Sequence, residues 1–199
     1  MSKAAYTNLT KPKNTKSGIA EFVLIAFMED FSTIQCPPAT GTKEERYTIS
    51  TAHTFKDAAN GFLKFRLLPD KNGMSMKTSG DKGAQRALTS VNVLIPGSYI
   101  EAHATVGDMI NQPLLVLVKD SDCAADQFYQ LGCDCAGAYM TVDFETGTTA
   151  DGTKGYVGTI EFPDNFYYYN VQGGPKVLAD GASTPVDGAT GGTGTGTGS

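Results

Sequence analysis

Residues 114–118 read Leu-Leu-Val-Leu-Val with no polar interruption, between Pro113 and the pair Lys119-Asp120. In a strand, successive side chains point to opposite faces, so an unbroken apolar run asks for cover on both sides of its sheet. A lone sheet with one wet face cannot house it. Residues 19–29 repeat the demand, because Phe22, Leu24 and Ala26 alternate with Val23, Ile25 and Phe27, leaving both faces apolar. Both runs are short for buried helices, and together they predict a layered β architecture with these two strands near its centre.

The rest of the chain supplies strands and turns around that centre. After the breaker Cys36-Pro37-Pro38-Ala39-Thr40-Gly41, Tyr47-Thr48-Ile49-Ser50-Thr51 alternates as a strand. Residues 62–68 alternate again and run into the turn-rich Pro69-Asp70-Lys71-Asn72-Gly73 and then Met74-Ser75-Met76-Lys77, which predicts a hairpin arm. Residues 78–86, with Lys82 among them, are polar and flexible, and such loops usually act outside a core; the whole segment 69–87 is polar enough to be dispensable to the core, so deleting it is expected to leave a folded monomer that cannot polymerise. A strand at 88–94 ends at Pro96-Gly97. Ser98 and Glu101 then have the spacing of a capping box, predicting one helix over 98–111, closed by Pro113. Further strands are expected at 127–131, 137–144 and 156–162.

The expected fold class is mainly β: a β-sandwich or curved-sheet barrel with one α-helix and flexible terminal arms. Its parts are a basic arm at 1–17, a single domain at 18–170 and a flexible tail at 171–199 that ends in a Gly and Thr repeat. A length of 199 residues suits one core, and nine Tyr and ten Phe with no Trp make phenyl rings its bulk.

Charge and cysteine content narrow the function. Sixteen basic against twenty-one acidic residues give a net charge of -5, which is poorly suited to neutralising many phosphates. The basic residues Lys3, Lys11, Lys13 and Lys16 stand in an arm without acids, so the body is more acidic than the total. No apolar run approaches the length of a membrane helix, and residues 22–28 lie too far in for a signal peptide core. Synthesis in the cytoplasm is therefore expected, and the four cysteines at 36, 123, 133 and 135 are expected to be reduced thiols.

The chain carries few motifs of catalytic or binding chemistry. The phosphate-loop, dinucleotide, GxSxG and HExxH patterns are absent. His53 and His103 lie on different elements and neither neighbours a carboxylate in sequence. Cys133-Asp134-Cys135 lacks the CxxC spacing of a structural zinc knuckle, and Asp120-Ser121-Asp122 with Asp126 lacks the Gly and Glu of a calcium loop. Tyr167-Tyr168-Tyr169 can stack on a sugar or base, although three consecutive strand aromatics place rings on both faces and favour an interface. No catalytic, metal or cofactor-binding residue is assigned, and the chain is expected not to be an enzyme.

One ordered layout runs through residues 88–170. It comprises a strand, Pro96-Gly97, a capped helix, Asn111-Gln112-Pro113, and a hydrophobic strand ending Val118-Lys119-Asp120. Tyr129-Gln130-Leu131-Gly132 and the stretch Gly155-Tyr156-Val157-Gly158-Thr159-Ile160-Glu161-Phe162 complete it. This layout, covering about half the chain, resembles that of bacteriophage tail tube proteins. The resemblance implies a virion structural protein, made in the host bacterial cytoplasm, whose sixfold rings stack into a hollow conduit.

The implied partners are other copies of the chain, other virion proteins, and DNA that passes without specific binding; no membrane is implied. The implied inter-subunit loop carries Asp70, Lys71, Asn72, Met74, Met76, Lys77 and Lys82. The interface aromatics would be Tyr167, Tyr168 and Tyr169, and the docking arm would use Lys11, Lys13 and Lys16. An acidic lumen would let DNA slide by like-charge repulsion. Competing expectations are a capsid decoration or head-fibre base protein, and a β-sandwich carbohydrate-binding module.

Overall fold

A computed structural model describes residues 17–69, 71–121, 127–148, 152 and 154–178. The two apolar runs become β1 (Ile19–Phe27) and β8 (Leu114–Asp120), paired antiparallel with Leu24 opposite Leu117 and Ile25 opposite Val116. Val23, Ile25, Leu114, Val116 and Val118 point into one buried cluster, and Leu24, Ala26, Leu115 and Leu117 into another. The two-faced demand of the sequence is met literally: consecutive residues of one strand serve different cores.

These strands lie inside a six-stranded sheet. Its other members are β3 (Thr48–Ile49), β5 (Leu63–Arg66), β9 (Gln127–Leu131) and β12 (Tyr167–Asn170), in the order β3-β12-β9-β8-β1-β5. A second sheet runs in the order β10-β11-β7-β6. It is built from β6 (Gly73–Ser79), β7 (Arg86–Pro96), β10 (Tyr139–Glu145) and β11 (Gly155–Phe162), all antiparallel. Val91, Val93 and Ile95 of β7 and Tyr156, Ile160 and Phe162 of β11 face the β1 and β8 side chains across the main core. The opposite face of the six-stranded sheet is covered by the small pair β2 (Phe31–Thr33) and β4 (Thr54–Phe55) and by Phe62. The result is a β-sandwich, and none of the sheets closes into a barrel among the described residues.

The single α-helix among the described residues, α1 (Ile100–Met109), joins the two sheets and buries Ala102, Val106 and Met109 in the main core. His103 Nδ1 and the Tyr156 hydroxyl share a 2.8 Å hydrogen bond that ties the helix to β11. The expected capping box does not form. Tyr99 is the N-cap, and it makes no side-chain cap, so Ser98 lies one residue too early to serve. After the helix, Asn111 takes a left-handed conformation (φ 61°), which its short polar side chain tolerates, and Gln112 donates back to the Met109 carbonyl at 3.2 Å.

Several other boundaries differ from the sequence expectations. The strand read at 47–51 is only Thr48–Ile49, with Glu45–Tyr47 in a 3-10 turn ahead of it. Met74 to Lys77 do form a hairpin, but with β7 rather than with the strand at 62–68. The folded body also extends past residue 170: the Phe62 amide donates to Lys176 O at 2.9 Å, and the Leu178 amide donates to Phe62 O at 3.0 Å. Residues 171–178 thus belong to the sandwich, because a β-bridge between Phe62 and Val177 pins them.

The expectation of reduced thiols is corrected at two positions. Cys36 and Cys133 form a disulfide across 97 residues, with Cα atoms 5.6 Å apart, and Cys135 is a free, exposed thiol. Close spacing drew attention to 133 and 135, whereas the partner of Cys133 comes from the Pro-rich loop before β3. Sequence spacing carried no sign of that contact, since it is made only when β9 docks beside that loop. Cys123 lies outside the described residues.

Candidate functional site

The four-stranded sheet has two unpaired edges among the described residues, β6 on one side and β10 on the other, each seven residues long. Free edges offer rows of unsatisfied amides and carbonyls, which proteins normally blunt unless another strand is to be added. Residues directly opposite in a ladder share a face. Met74, opposite buried Val91, therefore fixes Met74, Met76 and Thr78 as the core-facing set of β6. Phe144, opposite Tyr156, does the same for Met140, Val142 and Phe144 of β10.

Two of the large apolar side chains in these sets are left uncovered at the edges. Met76 and Phe144 are each 45% exposed, although their strand neighbours Met74 and Val142 are packed against the core. Beside Met76 lies an apolar groove lined by Tyr47, Phe166 and Tyr168 from the other sheet's margin, with Lys43, Glu44 and Arg46 along its rim. Tyr168 stacks edge-on with Tyr129 and Phe166 at centroid distances of 5.5 and 5.6 Å, so the groove wall is built of mutually packed rings.

The solvent face of the same sheet carries exposed Tyr139 and Val157 among polar side chains and is divided by charge. Asp143, Glu145 and Glu161 stand on β10 and β11, whereas Lys77 and Arg86 stand on β6 and β7, and Lys71 borders the same surface. Between them runs a strip of hydroxyl and amide groups. Ser75 and Ser90 hydroxyls lie 3.0 Å apart, and Thr159 donates to Asn92 Oδ1 at 3.2 Å.

Of the residues expected to form an inter-subunit loop, Met74, Met76 and Lys77 lie on β6. Asn72 accepts the Leu94 amide at 2.9 Å and donates to Leu68 O, which pins the entry to β6. Met74 belongs to the core, Met76 and Lys77 are exposed on β6, Lys71 is exposed just before it, and Lys82 sits in the exposed turn to β7. Asp70 and the arm residues Lys11, Lys13 and Lys16 lie outside the described residues.

The three tyrosines separate in role. Tyr169 is 1% exposed and stacks on His53 at 4.9 Å, so it is a core residue and presents nothing to a partner. Tyr167 is half-buried, and its hydroxyl donates to Asp164 Oδ2 at 3.2 Å; burial first, then the Asp164 charge, push its pKa up to about 12. Tyr168 alone faces the groove.

Inspection of the sequence missed Phe144 and Asp143, because nothing in Asp143-Phe144-Glu145 marks an edge strand before the pairing is known. It also missed Gln130, a completely buried amide that bonds His53, Gln35 and Gly132. Among the described residues, no group of three or more His, Cys, Asp or Glu side chains is placed to hold a metal ion. Compared with protein-family models, with curated proteins and with solved structures, the chain matches none.

Proposed function

We propose that this chain is a virion structural protein that resembles a phage tail tube subunit, joining copies of itself into rings that stack as a conduit for DNA. The observation that carries the reading is the pair of open edges on the four-stranded sheet. Because its strands alternate in direction, β10 and β6 run opposite ways. A copy brought round by rotation alone therefore offers its β6 to the first copy's β10 in antiparallel sense, and the ladder continues unbroken. Repeating that contact removes both edges of this sheet once the ring closes. The sixfold count comes with the resemblance.

In such a ring the solvent face of this sheet lines the inside. Its acids sit at one edge and its bases at the other, so each seam sets Asp143 and Glu145 of one copy near Lys71 and Lys77 of the next. The wall would be a compensated, hydroxyl-rich surface rather than an acidic one. Phosphates passing it would find few unpaired cations to hold them, which suits transit without binding.

Negative-stain electron microscopy over a concentration series, with size-exclusion chromatography to find the smallest stable species, tests this reading. Rings or tubes of uniform bore are the expected result. Monomers or discrete trimers at every concentration would remove it and favour the capsid decoration reading.

A further inference from the structure

Two open edges can meet in several alignments, and the side chains at the edges of this sheet select one. Sliding one strand by a single residue would turn core-facing side chains to the solvent face, so only alignments that match face to face are allowed. Among these, placing Met74 opposite Phe144 spends Phe144 on a residue that is already packed, and leaves Met76 opposite Val142, also packed. Moving the register by two sets Met76 opposite Phe144, the two core-facing edge side chains that remain 45% exposed. The same shift sets Lys77 opposite Asp143 and Ser75 opposite Glu145 on the solvent face.

We propose that copies of this chain join with β6 of one antiparallel to β10 of the next, Met76 opposite Phe144 and Lys77 opposite Asp143. In this alignment the neighbouring copy's Phe144 closes the groove beside Met76, where Phe166 and Tyr168 already present packed rings. Apolar and charged selection thus agree on one register: exposed core-facing side chains meet each other, and opposite charges meet on the other face. The proposal rests on the ring reading and specifies its seam.

Charge exchange tests the seam. Lys77→Glu and Asp143→Lys each place like charges opposite one another in every contact of a uniform ring. Each should raise the concentration needed for half-assembly on the order of tenfold. An equimolar mixture of the two variants should assemble at the parent's concentration, because alternating copies restore opposite charges at every seam, and so should the double variant. Circular dichroism and melting of each variant at low concentration confirm an intact monomer. If the parent assembles but the single variants assemble equally well, or the mixture and double variant fail with their fold intact, the register is overturned while the ring reading stands. If the parent never assembles, both fall.

Discussion

His53 donates its Nε2 proton to Oε1 of the fully buried Gln130 across 3.0 Å. The assignment follows from the other ring nitrogen: Nδ1 accepts the Gln35 amide at 3.0 Å, and an amide can only donate, so Nδ1 carries no proton. Gln130 in turn donates from Nε2 to Gln35 O at 3.2 Å and Gly132 O at 2.9 Å. Gln35 precedes Cys36 and Gly132 precedes Cys133, so the network fastens the same two segments that the disulfide joins.

A neutral His53 makes stability depend on pH. Burial lowers its pKa from 6.5 to about 4, with the Gln130 hydrogen bond opposing part of that shift. Between those values the unfolded chain binds a proton that the folded chain refuses, so folded stability is full above pH 6.5 and is lost as pH falls toward 4. The expected loss is on the order of 2–3 kcal/mol. Melting temperatures measured across this range for the parent and for His53→Gln should show the parent's slope flattened in the variant. Asp30, whose pKa burial raises, works in the opposite sense and is common to both proteins.

Gln130→Leu keeps the volume and removes the amide. It strands the His53 Nε2–H and the carbonyls of Gln35 and Gly132 in the interior, at a cost of about 2–4 kcal/mol. Urea unfolding should show a lower midpoint with an unchanged slope, and an equal midpoint would mean that water replaces the amide.

Reducing the Cys36–Cys133 disulfide should lower stability by about 2–4 kcal/mol, because it releases a loop whose ends are 97 residues apart. Calorimetry with and without reductant reads the difference, and the Cys36→Ser, Cys133→Ser double variant should melt like the reduced parent. Thiol titration of the denatured, unreduced chain should return no more than two of the four cysteines.

The turn between β6 and β7 is separable from the strands that carry it. Replacing residues 80–85 with a two-residue Asn-Gly turn should leave melting within about 0.5 kcal/mol of the parent, since those residues are exposed. Removing residues 69–87 altogether should instead unfold the monomer, because it deletes β6, the Asn72 bond to Leu94 and the core contact of Met74. A folded monomer after that larger deletion would show that the sheet needs only three strands.

Sequence and structure divide the explanation along a physical line. Local order was legible: the runs at 114–118 and 19–29 each dictated a strand covered on both sides, because side-chain alternation is a property of the strand itself. The helix was legible from its breakers, although its cap was not, since a cap depends on where the backbone turns as much as on residue type. Partnership was not legible. That Cys36 meets Cys133, that His53 meets Gln130 and that Tyr169 is consumed in the core are contacts between segments far apart in the chain, set by which strands dock where.

The same holds for the candidate assembly surface. Met76 and Phe144 look alike in sequence to their packed neighbours, and only the strand order β10-β11-β7-β6 makes them the uncovered ends of a sheet. A layered β fold around two buried strands follows from the apolar runs at 19–29 and 114–118 alone. The tertiary structure alone decided which edges stay open, because an edge is defined by the absence of a neighbour, and no residue encodes that locally.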